Sequence, residues 1–335
     1  MQMKRFVAVV AAAAASMIMV GCGDDGAKKA AAPAAQPKAE AVTHVGLVQL
    51  VEHPALDAAN RGIVDAVKAR GLKVEFDQQN AQADQSNLSN IAQRFVSQKY
   101  PLIFAIATPA AQSVANVTDK TPIVATAVTD FAVAKLIKDV NKPGTNVTGS
   151  SDLNPVGAQL DLLMKLVPQA KSIGTIYTSS EINSQFQIDL LKKELKRYSG
   201  VQLVELTVSS VNDVQQTAQS MVGKVDAVYV PTDNILASSM PVLTKITMPA
   251  GIPVITGESG MLQGGGLATV GVDYYELGKI AGDMGADILQ GKSKPADMPI
   301  RYQTTFKAKL NKKAADALGV KLPEDLVKTS EIVNF

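Results

Sequence analysis

The chain has one cysteine, two histidines and no tryptophan among its 335 residues. A single cysteine cannot form a disulfide within one chain, so hydrophobic cores must supply the stability of the folded part. Two histidines, His44 and His53, give little support to a histidine-dependent hydrolytic triad, and no G-x-S-x-G nucleophile elbow follows a strand. With no thiol cluster beside them they also predict no metal site. The glycine run at 264–266 lacks the Lys and Ser/Thr of a phosphate-binding loop, so it predicts a turn and no cofactor.

The amino terminus predicts an export signal. Two basic residues precede an uncharged run, 6–20, that is short for a membrane-spanning helix. The run ends at Cys22 in a segment that resembles a bacterial lipobox, although Met19 stands where that motif usually has Leu. By this resemblance Cys22 is the lipidated first residue of a membrane-anchored protein; the alternative is an ordinary secretory signal with an incidental cysteine. The predicted segments are a signal peptide, 1–21, and a flexible tether, 22–42, whose composition is too poor in large apolar residues to fold.

The charges are balanced once the signal is removed. Loss of Lys4 and Arg5 leaves 31 basic residues against 31 acidic ones. A formally neutral protein with mixed charges predicts no nucleic-acid partner.

From residue 43 onward, short apolar runs alternate with helical patterns. The runs "HVGLVQL", "LKVEF", "PLIFAIA" and "PIVATAV" indicate strands of a parallel sheet covered by helices. The series restarts with "SIGTIYT", "VQLVEL", "VDAVYV", "IPVITG" and "LATVGV". In both halves the first two strands are separated by about thirty residues, the length of a βα unit. The repeat therefore predicts an α/β fold with two doubly wound parallel-sheet lobes that face each other across a cleft.

Short polar residues follow many of the predicted strands, where open α/β sheets bind ligands. Helix capping, worth about 1 kcal/mol, would explain Thr108 or Ser180 taken singly. It does not explain acids that end strands, namely Asp130, Asp233 and Glu258. Helix N-termini for a carboxylate, with acids for an ammonium group, favour an amino acid ligand. A sugar site would more often include a stacked tryptophan.

Several of these loops resemble one known family. The segments "VEHPALDA", "ATPAAQS", "AVTD", "VPTDN" and "GGGLATVGVDYYELGK" are similar to those of substrate-binding lipoproteins of ATP-binding-cassette importers, in the family that contains tryptophan/tyrosine-type binding proteins. The resemblance runs from about residue 43 to 330. It implies a type I periplasmic-binding-protein fold whose lobes close by a hinge of three crossovers, and a monomeric, non-enzymatic receptor that delivers its ligand to a transmembrane permease. The predicted lobes are 43–150 plus 272–300 and 151–271 plus 301–335.

The resemblance also implies an aromatic amino acid as ligand, with Asp233 as the partner of its ammonium group and Asp130 or Glu258 assisting. Glu52 and His53 are expected at the rim of the cleft. The alternatives are a sugar or nucleoside receptor of the same fold, a ligand sensor for a membrane signalling protein, and a hydrolase that uses cleft carboxylates. The remaining predicted ligand-binding residues are Thr108, Ala110, Gln112, Ser179, Ser180, Asn183 and Asn234, with Glu52 also able to contact the ligand.

Overall fold

The structure is a computed structural model that describes residues 42–335. The predicted signal peptide and lipidated Cys22 lie outside these residues. The first half contains β1 Thr43–Gln49, α1 Pro54–Ala69, β2 Val74–Asn80, α2 Gln85–Ser97, β3 Ile103–Ile106, α3 Thr108–Val117, β4 Ile123–Val128 and β5 Val147–Ser151.

The second half repeats the alternation and adds a carboxyl-terminal segment. Its elements are α4 Val156–Leu166, β6 Ser172–Thr178, α5 Ile182–Leu195, β7 Gln202–Val208, α6 Val211–Met221, β8 Ala227–Val230, α7 Asn234–Ser238, α8 Met240–Thr247, β9 Val254–Thr256, a 3-10 helix at Gly260–Gly264 and β10 Ala268–Gly271. The last segment contains α9 Tyr274–Leu289, a 3-10 helix at Pro295–Asp297, β11 Arg301–Tyr302, β12 Lys307–Asn311, α10 Lys312–Leu318, α11 Glu324–Thr329 and β13 Glu331–Val333.

Two sheets confirm the predicted α/β architecture. The first has the strand order β11-β5-β4-β3-β1-β2, and the second has the order β13-β12-β10-β9-β8-β6-β7. The series β4-β3-β1-β2 and β9-β8-β6-β7 have the same order, as expected of two halves built from one repeated pattern. All pairs are parallel except β10 with β12. The strands of the first sheet therefore have their carboxyl ends on one side, as do β6 to β10 of the second sheet, whereas β12 and β13 run in the opposite direction. We call the first sheet with its helices lobe one and the second sheet with its helices lobe two.

The third crossover between the lobes lies after β11. Arg301 and Tyr302 pair with Ser150 and Ser151 in the first sheet, whereas the sequence prediction ended lobe one at residue 300. This edge strand has only two residues, both exposed, so no hydrophobic pattern marks it. The chain passes to lobe two between residues 303 and 306.

Buried strands explain why the apolar runs predicted the sheets. Along β8, Ala227 and Tyr229 join one hydrophobic cluster of lobe two, while Val228 and Val230 join the cluster on the opposite face. Successive side chains of a strand point to opposite faces, so a strand covered on both sides is apolar throughout.

The helices α1 and α9 cover lobe one in unusually close contact. A Cβ atom on Gly278 would lie 2.0 Å from the carbonyl oxygen of Ala59, and one on Gly62 would lie 2.2 Å from that of Tyr275. Glycine at these positions lets the two backbones approach. Because α1 begins in the loop after β1 and α9 begins at the second crossover, this contact fixes one wall of the cleft relative to the hinge.

The three crossovers are hydrogen-bonded to one another. The Oδ1 atom of Asn154, in the first crossover, accepts the backbone N–H of Val272 at 2.9 Å. Gln303, in the third, accepts the N–H of Asp273 at 3.0 Å and donates to its carbonyl oxygen at 2.6 Å. The hinge is therefore a connected unit.

The lobes are in contact across the cleft. Ile182 of α5 packs on the core of lobe one, and Ala83, which follows β2, packs on a core of lobe two. The Nε2 atom of Gln187 lies 3.4 Å from the Oγ1 atom of Thr129 in the opposite lobe. These contacts define a closed arrangement.

Candidate functional site

A small cavity lies between the lobes at the carboxyl ends of their strands. Its volume is about 10 Å³, close to the least that one water molecule requires. A larger ligand must therefore enter when the lobes are apart, and cavity side chains must move to hold it. The lining residues are His53, Leu56, Ala127, Thr129, Asp152 and Tyr274 of lobe one and the hinge, and Asn183, Thr232, Asp233, Asn234, Ala237 and Glu258 of lobe two.

Two carboxylates of the lining retain unused acceptor capacity. Asp152, directly after β5, accepts the hydroxyls of Tyr274 at 2.6 Å and Thr129 at 3.0 Å, one on each oxygen. Glu258, after β9, accepts the backbone N–H of Gly260 on one oxygen and that of Met261, at 2.9 Å, on the other. Each carboxylate oxygen can accept a further hydrogen bond. Burial raises the pKa of both groups, that of Glu258 to about 7.

Asp233, the predicted ammonium partner, also faces the cavity, but its oxygens are occupied. It accepts Thr178 Oγ1 and Leu236 N–H on Oδ1, both at 2.9 Å, and Thr178 N–H and Ser184 Oγ on Oδ2, at 2.6 and 2.7 Å. All four donors belong to lobe two. The side chain therefore caps α7 and ties the end of β6 to α5, which leaves little capacity for a ligand.

Glu181 lies behind the cavity wall beside Asp233. Its carboxylate accepts the side-chain amides of Asn183 at 2.8 Å and Asn234 at 2.6 Å. Burial raises the pKa of Glu181, and the charge of Asp233 raises it further; burial likewise raises the pKa of Asp233. Glu181 therefore holds the side-chain amides of Asn183 and Asn234, two residues that line the cavity.

The cavity lining offers acceptors and no positive charge. Among the described residues that line it, none is lysine or arginine, and burial lowers the pKa of His53 to about 4, so its imidazole is neutral at pH 7. The Nδ1 atom of His53 and the Oδ1 atom of Asn183 are buried without a hydrogen-bond partner. A cationic ligand group with several N–H donors would satisfy these acceptors and the carboxylates together.

The start of α3 offers hydrogen-bond donors, whereas the cavity lining offers acceptors. This helix follows β3, which lies between β1 and β4 in the sheet, so its N-terminus lies between the ends of β1 and β4. No side chain caps it, and the buried Oγ1 atom of Thr108 has no partner among the described residues. Free backbone N–H groups and a hydroxyl at a helix N-terminus favour an anion such as a carboxylate.

Both strand ends beside this helix have strained backbone. Ala107, the N-cap of α3, has φ +87°, and Ala127, at the cavity, has φ +55°. Residues with a Cβ rarely adopt positive φ, and such strain is concentrated at functional sites. The geometry therefore marks the ends of β3 and β4 as part of the site.

The predicted site residues fall into three groups. Four line the cavity: Asn183, Asp233, Asn234 and Glu258. Two line a neighbouring interlobe cleft of about 530 Å³: Gln112 and Ser180. Five line neither cavity: Thr108 and Ala110, buried in the first turn of α3, Ser179, exposed after β6, and Asp130 and Glu52.

Asp130 and Glu52 lie outside both cavities, and their assignment as ligand contacts stays a prediction. Asp130 accepts the N–H groups of Ala132 and Val133, each at 2.8 Å, and so stabilises its own turn. Glu52 is exposed beside an outer groove. Its neighbour His53 has extended backbone, and consecutive side chains of an extended segment point in opposite directions, so His53 enters the cavity while Glu52 points away.

Asp152, Tyr274 and Glu181 were not among the predicted ligand contacts. Asp152 carries the same signal that selected Asp233, an acid immediately after a strand, and could have been found by it. Tyr274 has no such signal, because only the fold brings it to Asp152.

The chain matches the family of ABC transporter substrate binding proteins over residues 44–333. It therefore belongs to this family, whose members act outside the cytoplasm as receptors for importers. The fold is that of type I periplasmic binding proteins, as the resemblance implied. In the described range 42–335, no helix has the length and apolar character needed to cross a membrane.

Three relatives extend the comparison. A tyrosine-binding protein of Clostridioides difficile is 38% identical over 325 residues, which cover 96% of this chain and 94% of the relative. An ABC domain of Streptococcus pneumoniae, solved in complex with L-Trp, is 38% identical with a TM-score of 0.83, covering 86% of this chain and all of that one. The ligand-free, open structure of a substrate-binding protein from Clostridium difficile is 43% identical, covers 88% and 99% of the two chains, and has a TM-score of only 0.66. The lower score against the open protein, despite its higher identity, agrees with the closed lobes described above.

Proposed function

We propose that this protein is the non-enzymatic receptor of an importer that binds an amino acid, specifically an aromatic one, between its lobes. The observation that carries the proposal is the cavity lining, which combines buried carboxylates and unpartnered acceptors with no lysine or arginine among the described residues. A primary ammonium group has three N–H donors and the positive charge that this lining lacks. The tyrosine and tryptophan in the descriptions of two relatives agree with this chemistry.

The ammonium group is assigned to the space between Asp152 and Glu258. These carboxylates come from the hinge and from lobe two, so a cation between them draws the lobes together. The carboxylate of the ligand is assigned to the N-terminus of α3, with the Thr108 hydroxyl as an additional donor. Lobe closure would then bury both charged ends of the ligand against partners of opposite sign.

The ligand side chain is assigned to the apolar part of the lining and to the adjoining cleft. Leu56 and Ala237 supply apolar surface in the cavity. The cleft lined by Gln112 and Ser180, with about 530 Å³, is within the size range of small-molecule sites. Its mixture of apolar and polar residues suits an aromatic ring with a polar tip.

Delivery to a permease follows from membership of the family. We also propose that a lipid on Cys22 anchors the protein to the membrane and that the protein acts as a monomer. Mass spectrometry of the membrane-associated protein tests the anchor, because a diacylglyceryl group on Cys22 is expected at the new amino terminus. Cleavage elsewhere with an unmodified cysteine would contradict it.

A thermal-shift panel of twenty amino acids, sugars and nucleosides tests the ligand class. Aromatic amino acids are expected to raise the unfolding temperature, because a ligand that binds only the folded protein stabilises it by mass action. A shift with sugars or nucleosides alone would contradict the proposal, and turnover of a bound compound would favour the hydrolase. A receptor that bound amino acids but failed to support uptake would instead be a sensor.

A further inference from the structure

The buried imidazole of His53 forms a hydrogen-bonded link across the closed cleft. His53, at the start of α1 in lobe one, is 6% exposed, and its Nε2 atom lies 3.4 Å from Oδ1 of Asn234 in lobe two. The amide nitrogen of Asn234 donates to Glu181 at 2.6 Å. This geometry fixes Asn234 Oδ1 as the acceptor and assigns the imidazole proton to Nε2.

We propose that His53 is a proton-sensitive latch, in which the neutral imidazole holds the lobes together through Asn234 and protonation opens the cleft and releases the ligand. The part that concerns release rests on the proposed function. The part that concerns closure rests on the geometry of the lobes alone.

Protonation would add a donor that the closed form cannot satisfy. The Nδ1 atom has no hydrogen-bond partner among the described residues, so an N–H there would be buried unpaired and the ring would carry a buried charge. Burial accordingly lowers the pKa of His53 to about 4. Once the lobes separate, the ring meets water and regains an ordinary value of about 6.5.

The sign of the pH effect follows from these values. Opening takes up a proton, so the latch contribution to closure is fully present above about pH 6.5 and is lost progressively as the pH falls toward 4. At pH 5 the contribution of His53 to the closed population is expected to fall about 30-fold relative to pH 8.

The carboxyl groups around His53 act with the opposite sign in the ligand-free protein. Asp152, Asp233, Glu258 and Tyr274 line the same cavity, and Glu181 lies behind Asn234. Burial raises the pKa values of the carboxyl groups of Asp152, Glu181, Asp233 and Glu258. Closure therefore takes up protons at these groups and is favoured by acid. The effect of His53 must therefore be measured as a difference between the wild-type protein and His53→Asn.

The chain has only two histidines, so NMR can observe the latch directly. The C2–H signal of His53, assigned by its loss in His53→Asn, is expected to stay that of a neutral ring down to about pH 5 in the closed protein. The ring of His44, half exposed at the start of β1, is the internal reference, assigned with His44→Asn. Titration of the His53 signal near pH 6.5 in the closed protein would overturn the proposal.

Small-angle scattering and calorimetry complete the test. Between pH 7 and 5, ligand-free wild-type protein is expected to become more open relative to His53→Asn, while His44→Asn follows the wild type. Between pH 8 and pH 5, the affinity of the wild-type protein for L-tyrosine should fall. The factor of this fall should be about 30 times larger in the wild type than in His53→Asn. Parallel curves for wild type and His53→Asn in scattering would refute the latch, whether or not tyrosine binds. Absence of tyrosine binding with divergent scattering curves would instead refute the proposed ligand and leave the latch standing.

Discussion

The buried carboxylates of the site differ in how many hydrogen bonds they already accept from the protein. Asp233 has four donors from its own lobe, whereas Asp152 and Glu258 have two each and share the cavity with unpartnered acceptors. A buried carboxylate without a counter-charge is costly. A cationic ligand removes this cost, which makes the two less-occupied acids the stronger attachment points.

Replacement of Asp152 tests this assignment. In Asp152→Asn, the amide oxygen can still accept from Thr129 or Tyr274, so we expect little change in the unfolding temperature. Affinity for the amino acid should fall by at least about 30-fold, because loss of one partner of a buried charge pair typically costs 2–5 kcal/mol. Calorimetry of Asp130→Asn provides the matched control: that acid only stabilises its own turn, and its affinity should be unchanged. Equal affinities for Asp152→Asn and wild type would remove Asp152 from the site.

The substitution Ala127→Gly tests the backbone strain at the cavity. Relief of its positive φ in Ala127→Gly is worth about 1–2 kcal/mol. The lost methyl burial, about 0.8 kcal/mol, and the greater freedom of glycine in the unfolded chain, about 0.4–1 kcal/mol, offset that gain. Denaturant unfolding should therefore show a change of less than about 1 kcal/mol in either direction. Ala125→Gly, in the same strand without positive φ, should lose about 1–2 kcal/mol by the same terms; equal losses for the two variants would argue against strain.

At the scale of elements, the contact between α1 and α9 is the most sensitive part of lobe one. Gly278→Ala places a methyl group 2.0 Å from a backbone oxygen of α1, and backbone cannot rotate away. We expect a loss of about 1–3 kcal/mol, the usual cost of overpacking, measured by denaturant unfolding. Gly157→Ala in α4 is the control, because its nearest neighbour is the flexible carboxylate of Glu194. That variant should be neutral or gain up to about 1 kcal/mol from helix propensity; a similar loss in both would contradict the close-contact interpretation.

The elements were more predictable from sequence than the site. The strand "AVYV" is apolar throughout because both of its faces are covered, and the repeated order of strands follows from the repeated pattern. By contrast, Glu52 and His53 are adjacent polar residues in one loop, and only the backbone direction decides which one enters the cavity. The pairing of Tyr274 with Asp152 joins residues 122 positions apart, and the two-residue strand β11 has no pattern to detect. Local periodicity predicts elements, whereas the site depends on how distant strand ends meet.

At the scale of the whole molecule, the hinge joins recognition to closure. Asp152, one of the two acids assigned to the ammonium group, lies at the first crossover, and its hydrogen-bond donor Tyr274 follows the second. The hydrogen bonds of Asn154 and Gln303 tie the crossovers together. We therefore expect a ligand bound at Asp152 to act directly on the element that sets the interlobe angle.

The most direct measurement of the central claim is calorimetric titration of the purified protein at pH 8 with L-tyrosine, L-tryptophan and N-acetyl-L-tyrosine. We expect one molecule of the free amino acid to bind per chain. The acetylated compound should bind at least 100-fold more weakly, because it keeps the ring and carboxylate but lacks the ammonium group. Equal binding of N-acetyl-L-tyrosine, or binding of neither free amino acid, would contradict recognition of an ammonium group by the acceptor-lined cavity.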